Sequence, residues 1–299
     1  MKFRAVVGAH GHYLSMGEII IGSEAIAAGI VTRHELARSY RPVHPNIHVP
    51  RVHVLTLRDR TVAAWLWSKR RGVIAGVAAS ALHGARWVED DAAIELVYNR
   101  THPPSGVITH NETVGDDERG WACKLPVTTP PRTAFDLARH LDRLDALARL
   151  DALMRATPFS IEDVQLLAKR YRGARGLRQL RELLPLVDGG AASPQETRLR
   201  LLFMDAGLPR PTTQIPICDH RGRLIRMVDM GWEDFMVAAE YDGDQHRTSR
   251  AQYVKDLRVL PMLERMGWHI IRVIKENRDD EIIDGAQTAL RTRGWNGRV

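Results

Sequence analysis

Cysteine is scarce: Cys123 and Cys218 are the only two in 299 residues. Their separation fits no metal or redox spacing, so thiolate clusters, CxxC chemistry and a disulfide framework are excluded as organising devices. Long apolar runs are missing too; nothing approaches the roughly 18 residues that a membrane helix needs. The opening MKFRAVVGAHGHYL lacks the continuous apolar stretch of a secretory signal. A cytoplasmic protein with no membrane partner is the expectation. GxGxxG, GxxxxGK[ST] and GxSxG do not occur, which removes the common phosphate-cradling loops and the hydrolase elbow. No nucleotide cofactor is expected. Repeats and low-complexity tracts are missing as well.

What is present is ordinary for a globular protein: 44% hydrophobic and 26% charged residues. The length allows two domains or one large one. The net charge is +7, and six of those seven surplus positive charges lie before Ser193. A basic balance of this size admits a polyanionic partner without requiring one.

The clearest break is LVDGGAAS, Leu186 to Ser193, where a glycine pair and small residues separate two helical patterns. Softer breaks fall at NRTHPPSG and PVTTPPRT, whose paired prolines oppose regular helix. Three regions are therefore expected: 1–56, 57–188 and 193–299. In the first, SEAIAAGIVTRHELARSY predicts a short helix, a turn at Gly29 and a second helix whose Thr32 and Glu35 have capping-box spacing. The extended NIHVPRVHVL follows. Helix, turn, helix and ribbon are the outline of a winged helix, and Arg33, His34, Arg38 and Arg41 would sit where side chains meet DNA. A small helical subdomain with a solvated basic face is the alternative. The second region, with TVAAWLWSKRRG, GVAASALHGARW and TAFDLARHLDRLDALARLDALMRA, predicts a mostly helical scaffold in which His83 is packed or capping.

From Ser193 the pattern changes. SPQETRLRLLFMDAG predicts a helix with Ser193 as N-cap, Pro194 at its first position and Glu196 at N3. TQIPICD, LIRMVDMGW and FMVAAEYDG predict three strands, SRAQYVKDLRVLPMLERMG a helix kinked or interrupted at Pro261, WHIIRVI a fourth strand and EIIDGAQTALRTRG a closing helix. A hairpin turn near Asp234 brings Asp229 across from Glu240, and the two-residue period puts Asp242 on the face of Glu240. Paired carboxylates at a sheet edge are what Mg²⁺ or Mn²⁺ needs: hard oxygen ligands that leave positions for water and a phosphate.

The ordered set SPQET, RMVDMGW, VAAEYDG with His246, KDLR and GWHIIRV resembles the PD-(D/E)xK nuclease superfamily, in particular the branch of very-short-patch-repair endonucleases. AAGIVTRHELARSY and VAAWLWSKRRGVIAGVAASALHG resemble the N-terminal winged helix of AbiEi-type antitoxins. The implied fold is α/β: a mostly helical N-terminal region containing a winged helix, then a restriction-endonuclease-like domain with a central mixed four-stranded sheet. The implied metal ligands are Asp229 and Glu240; Glu196 reaches a metal-bound water, or serves only in its capping box. Asp242 stands where the superfamily has a lysine, so His246 becomes the candidate base or phosphate donor and Lys255 a substitute cation, with Asp256 and Arg258 as buttress or DNA contact.

Two functional expectations follow: a Mg²⁺- or Mn²⁺-dependent DNA endonuclease of repair or defence, or a DNA-binding regulator or antitoxin-like protein that keeps the nuclease fold without turnover. Homodimerisation through the last domain is a third role, hinted at by Trp232 and Trp268.

Overall fold

The strands and helices of this chain follow from where its β-branched runs and helix caps lie. The computed structural model describes residues 15–16, 19–100, 102–243 and 250–297. It divides into two units: residues up to His140 with Ala156–Arg181, and Leu141–Arg155 with the residues from Glu182 onward. The architecture is mixed α/β in both.

In the first unit, strand β1 (Ser15–Met16) pairs with β2 (Ile19–Ile21). Helices α1 (Gly22–Ala27) and α2 (Arg33–Ser39) follow, then the hairpin β3 (Tyr40–His44) and β4 (Ile47–Pro50). The sheet order is β1-β2-β4-β3. The capping box expected at Thr32 and Glu35 is formed, and Gly29 ends the first helix at φ +68, a conformation that costs a glycine nothing.

Residues 73–128, expected within a mostly helical region, instead hold a five-stranded mixed sheet. Its strands are β5 (Val73–Ala75), β6 (Ile94–Val97), β7 (Val107–His110), β8 (Arg119–Ala122) and β9 (Leu125–Thr128), in the order β7-β6-β5-β9-β8. Strands of three or four residues are too short to show a two-residue period, and they are stabilised by long-range pairing. Helix α3 (Leu57–Trp67) joins this sheet to the first one: Ile19, Ile47 and Val49 share a single core with Val62, Leu66, Ile74, Leu96 and Val127. Residues on both sides of the expected division at 56 thus form one folded body. Helices α4 (Gly76–Leu82) and α5 (Pro130–His140) complete it with α7 (Ile161–Arg170) and all but the last two residues of α8 (Leu177–Leu183). Pro130 and Pro131, expected to oppose helix, open α5, where the first turn has no amide bonds to lose.

The second unit starts with α6 (Arg143–Ala156), all but its last residue belonging here. The stretch Leu186–Ser193, expected as a seam, is packed inside this unit. Asp188 N donates to Asp151 Oδ1 at 2.8 Å, and a Cβ on Gly190 would lie 2.0 Å from Thr213 Oγ1. Glycine serves close approach there. Helix α9 (Pro194–Asp205) precedes β10 (Thr212–Cys218), β11 (Leu224–Trp232) and β12 (Val237–Asp242), an antiparallel meander. Helix α10 (Arg250–Arg265) then leads to β13 (His269–Ile274), parallel to β12, and α11 (Asp279–Thr292) closes the chain. The element order and the mixed four-stranded sheet are those expected. Pro261, however, lies inside α10 without ending it, since one missing N–H leaves the remaining ladder to hold.

This sheet is covered on both faces. Leu199 and Phe203 of α9, with Ile282, Ala286 and Leu290 of α11, pack on Met230, Val237, Ala239 and Val273; the four-residue spacings make one apolar stripe on each helix. Leu263 of α10 packs on Ile215, Val228 and Ala238. Trp232 is 5% exposed in the first of these layers and donates from Nε1 to Pro209 O at 2.7 Å, so it is a core residue.

Candidate functional site

Three groups of charged side chains stand out, two of them expected from sequence. The first is α2. Its Thr32 hydroxyl accepts from Glu35 N, while Glu35 Oε2 accepts from Thr32 N and from the Thr32 hydroxyl, each at 2.8 Å; the two bonds to Oε2 hold the Glu35 carboxyl below its ordinary range. The helix has no fully buried residue. Leu36 is half-buried against Ile20, Ala25 and Val31, while Arg33, His34 and Arg38 are exposed. Arg41 differs from them: it is half-buried, and Nη2 donates to His53 O at 3.0 Å. Arg51, which local pattern did not single out, donates to the carbonyls of Ala37 and Arg38 at 3.1 Å and so closes the C-terminal end of α2. The β3–β4 turn is anchored to the start of α1, where Ser23 N donates to Asn46 Oδ1 at 2.9 Å and Gly22 N to Asn46 O at 2.8 Å.

The second group is the carboxylate row of the four-stranded sheet. Thr213 and Ile215 pair with Met230 and Val228, which sets Gln214 level with Asp229. Met230 pairs with Ala239, which brings Asp229 beside Glu240, and Glu240 pairs with Arg272. Glu196 joins the row because its Oε2 accepts from Gln214 Nε2 at 3.1 Å. That same oxygen accepts from Ala192 N at 2.9 Å, and Oε1 from the Ser193 hydroxyl at 3.0 Å; burial raises the Glu196 carboxyl pKa against these bonds. Asp229 Oδ2 accepts from Tyr241 N at 2.8 Å.

Among the described side chains, the cations nearby are arginines. Arg226 grips both oxygens of the 7%-exposed Glu240, at 2.5 and 2.8 Å, and Arg272 pairs with Asp242. Asp242, standing where the resembled motif has lysine, is thus itself neutralised by the neighbouring strand. Arg258 is exposed on α10. His246 lies outside the described residues, and the side chains of Lys255 and Asp256 are likewise not described.

The third group escaped sequence reading because Glu95, His110, Glu112 and Glu118 lie 14 or more residues from Arg132 of α5. Arg132, 1% exposed, bonds to Glu118 at 2.6 Å, to Glu112 at 3.0 Å and to Asp136 at 3.1 Å. Arg139 bonds to Glu112 at 2.8 Å. Beside them Glu95 Oε2 lies 2.7 Å from His110 Nε2, and the ring of His140 stacks on that of His110 with centroids 4.5 Å apart. Hydrogen bonding to His140, with Arg139 adding, pushes the Glu112 carboxyl down to about 2. Burial raises Asp136. His83, expected as a packed or capping residue, bonds through Nε2 to Thr128 O at 2.7 Å.

Comparison with known proteins places this last group. Residues 73–186 match the family model of the AbiEi antitoxin C-terminal domain, so the antitoxin likeness falls on the middle of the chain and on the C-terminal domain of that family, where sequence reading had placed it on the N-terminal one. Two uncharacterized proteins of Mycobacterium tuberculosis, MT2308 of strain CDC 1551 / Oshkosh and Rv2248 of strain H37Rv, are each 35% identical over 201 residues, covering 67% of this chain and 73% of theirs. The chain belongs to one family with these two mycobacterial proteins, and its residues 73–186 are similar to the AbiEi antitoxin C-terminal domain.

Proposed function

We propose that this protein is a DNA-binding regulator of the antitoxin kind, with α2 as its DNA-reading element. The observation that carries this is the exposed basic face of α2, Arg33, His34 and Arg38, on a helix with no fully buried residue. A strand, two helices joined by a short turn, and a hairpin pairing back on that strand form the order of a winged helix, whose second helix enters the major groove. The antitoxin-like domain at 73–186 supports a regulatory role beside a partner toxin. The test is fluorescence anisotropy on duplex DNA with the full chain and an Arg33→Ala/Arg38→Ala variant. Binding weakened in the variant, with a shallower salt dependence, supports the reading. Unchanged affinity and salt slope contradict it.

A second reading, metal-dependent hydrolysis of DNA, rests on the row Glu196, Gln214, Asp229 and Glu240. It ranks behind the first because both oxygens of Glu240 are held by Arg226 and the position of the motif lysine carries Asp242. Guanidinium groups neither ligate a metal nor give up a proton, so Mg²⁺ or Mn²⁺ would have to displace Arg226 from Glu240. Nicking of supercoiled plasmid in Mg²⁺ or Mn²⁺, lost in EDTA and in Glu240→Ala, is the result that would promote it.

A further inference from the structure

We propose that Glu95, His110 and His140 form a binding site for a divalent transition metal of the zinc class, inside the antitoxin-like domain. The three residues come from β6, β7 and the C-terminal end of α5, and their ligand atoms all lie within 4.8 Å of one another. Glu95 Oε2 is 2.7 Å from His110 Nε2 and 3.9 Å from His140 Nδ1. Two ligand atoms on one tetrahedral Zn²⁺ are separated by roughly 3.3 Å, given metal–ligand bonds of about 2.0 Å. The observed separations bracket that distance, so small side-chain rotations suffice.

The surroundings aim these ligands. Glu95 Oε1 accepts from Val77 N at 3.2 Å, at the start of α4, which leaves Oε2 facing both imidazoles. The adjacent Gly76 makes room for it: a Cβ there would stand 1.9 Å from Glu95 Oε1, and the residue's φ is +57. On the other side, His140 turns Nε2 toward Glu112 Oε1 at 3.5 Å while Nδ1 faces Glu95. Glu112 is in turn held by Arg132 and Arg139. A histidine whose far nitrogen meets a carboxylate is the arrangement that orients metal-bound imidazoles. The Glu95 side chain is 9% exposed, while His110 and His140 are 19% and 21% exposed. One side is therefore left to a water or a further ligand, as in open His₂Glu sites. Two imidazoles with one carboxylate select zinc-like ions over Mg²⁺ or Ca²⁺, which prefer oxygen alone.

A bound ion would tie β6, β7 and α5 together.

The test uses the full chain, stripped with chelator and titrated with Zn²⁺ alone in a calorimeter, with metal content checked after dialysis. One Zn²⁺ per chain with submicromolar affinity is expected. His140→Ala, at the rim, should abolish the saturable isotherm while leaving the circular dichroism unchanged, and Glu112→Gln should weaken binding by roughly 10–100-fold. Co²⁺ substitution should give a tetrahedral visible spectrum that His140→Ala removes. No saturable Zn²⁺ binding by the parent protein, or equal binding by folded His140→Ala, would overturn the site; if His110→Ala fails to fold, the rim variant still decides.

Discussion

The two carboxylate-rich groups of this molecule have opposite partners. On the C-terminal sheet, Glu240 and Asp242 face the guanidinium groups of Arg226 and Arg272. In the antitoxin-like domain, Glu95 faces two imidazoles, and the arginines are one step further out, on Glu112, Glu118 and Asp136. An arginine is always charged and only donates, so a carboxylate gripped by one is committed to an ion pair. An imidazole changes role with a proton. Two acids of the group that looks catalytic in sequence, Glu240 and Asp242, are thus closed by salt bridges, and the group with no sequence signature keeps open chemistry.

That comparison breaks most severely where a buried cation is deleted. Arg132→Ala takes one arginine partner from each of Glu118 and Asp136, both 2% exposed, which keep Arg170 and Arg139 respectively, and Arg200→Ala takes from Asp151, 1% exposed, the arginine bonded to it at 2.7 Å. Each variant should lose about 3–5 kcal/mol in denaturant unfolding. A loss under 1 kcal/mol would mean that these pairs are water-accessible.

Glu240→Gln comes next. It removes the charge that Arg226 grips while keeping the shape, so a stability loss of about 1–3 kcal/mol is expected with DNA affinity unchanged. Stabilisation, as happens when a crowded metal-site acid is neutralised, would reopen the hydrolytic reading.

A smaller effect separates imidazoles beside carboxylates from one beside an arginine. His44 is 8% exposed; burial, with Arg60 adding, pushes its pKa down to about 4. The unfolded chain then binds the proton more readily than the folded one. Stability is complete above the unfolded pKa of about 6.5 and falls as pH drops toward 4. Thermal melts at pH 7.5 and 5.5 should differ by about 1 kcal/mol more in the parent than in His44→Leu. Equal slopes would place the imidazole in water.

How much of this was readable in the sequence depends on the range over which the signal acts. Thr32 with Glu35, Ser193 with Pro194, and the turn before Met236 act over three or four residues, and α2, α9 and the β11–β12 hairpin lie where they pointed. The Asp229–Glu240 adjacency was legible because that hairpin sets the register. Strands β5 to β9 were not, since each has three or four residues and gains its partners across intervals such as the one from Ile74 to Val127. The arginines of β11 and β13 were invisible as salt-bridge partners because Arg226 lies 14 residues from Glu240, and Arg272 lies 30 from Asp242. Glu95, His110 and His140 meet only after β6, β7 and α5 pack; no local spacing encodes them. A glycine at 76 forced by the Glu95 carboxylate is the nearest thing to a signal, and it is readable only in three dimensions.

The most direct test puts both surfaces into one assay: duplex DNA binding followed by anisotropy across a salt series with Mg²⁺ present, and strand breaks scored in the same tubes, for the parent, Arg33→Glu/Arg38→Glu and Glu240→Gln. The regulator reading expects salt-sensitive binding by the parent and by Glu240→Gln, a loss of roughly 10-fold or more in the charge-reversed α2 variant, and intact DNA throughout. Unimpaired binding by the α2 variant, or Mg²⁺-dependent breaks that Glu240→Gln removes, would contradict it.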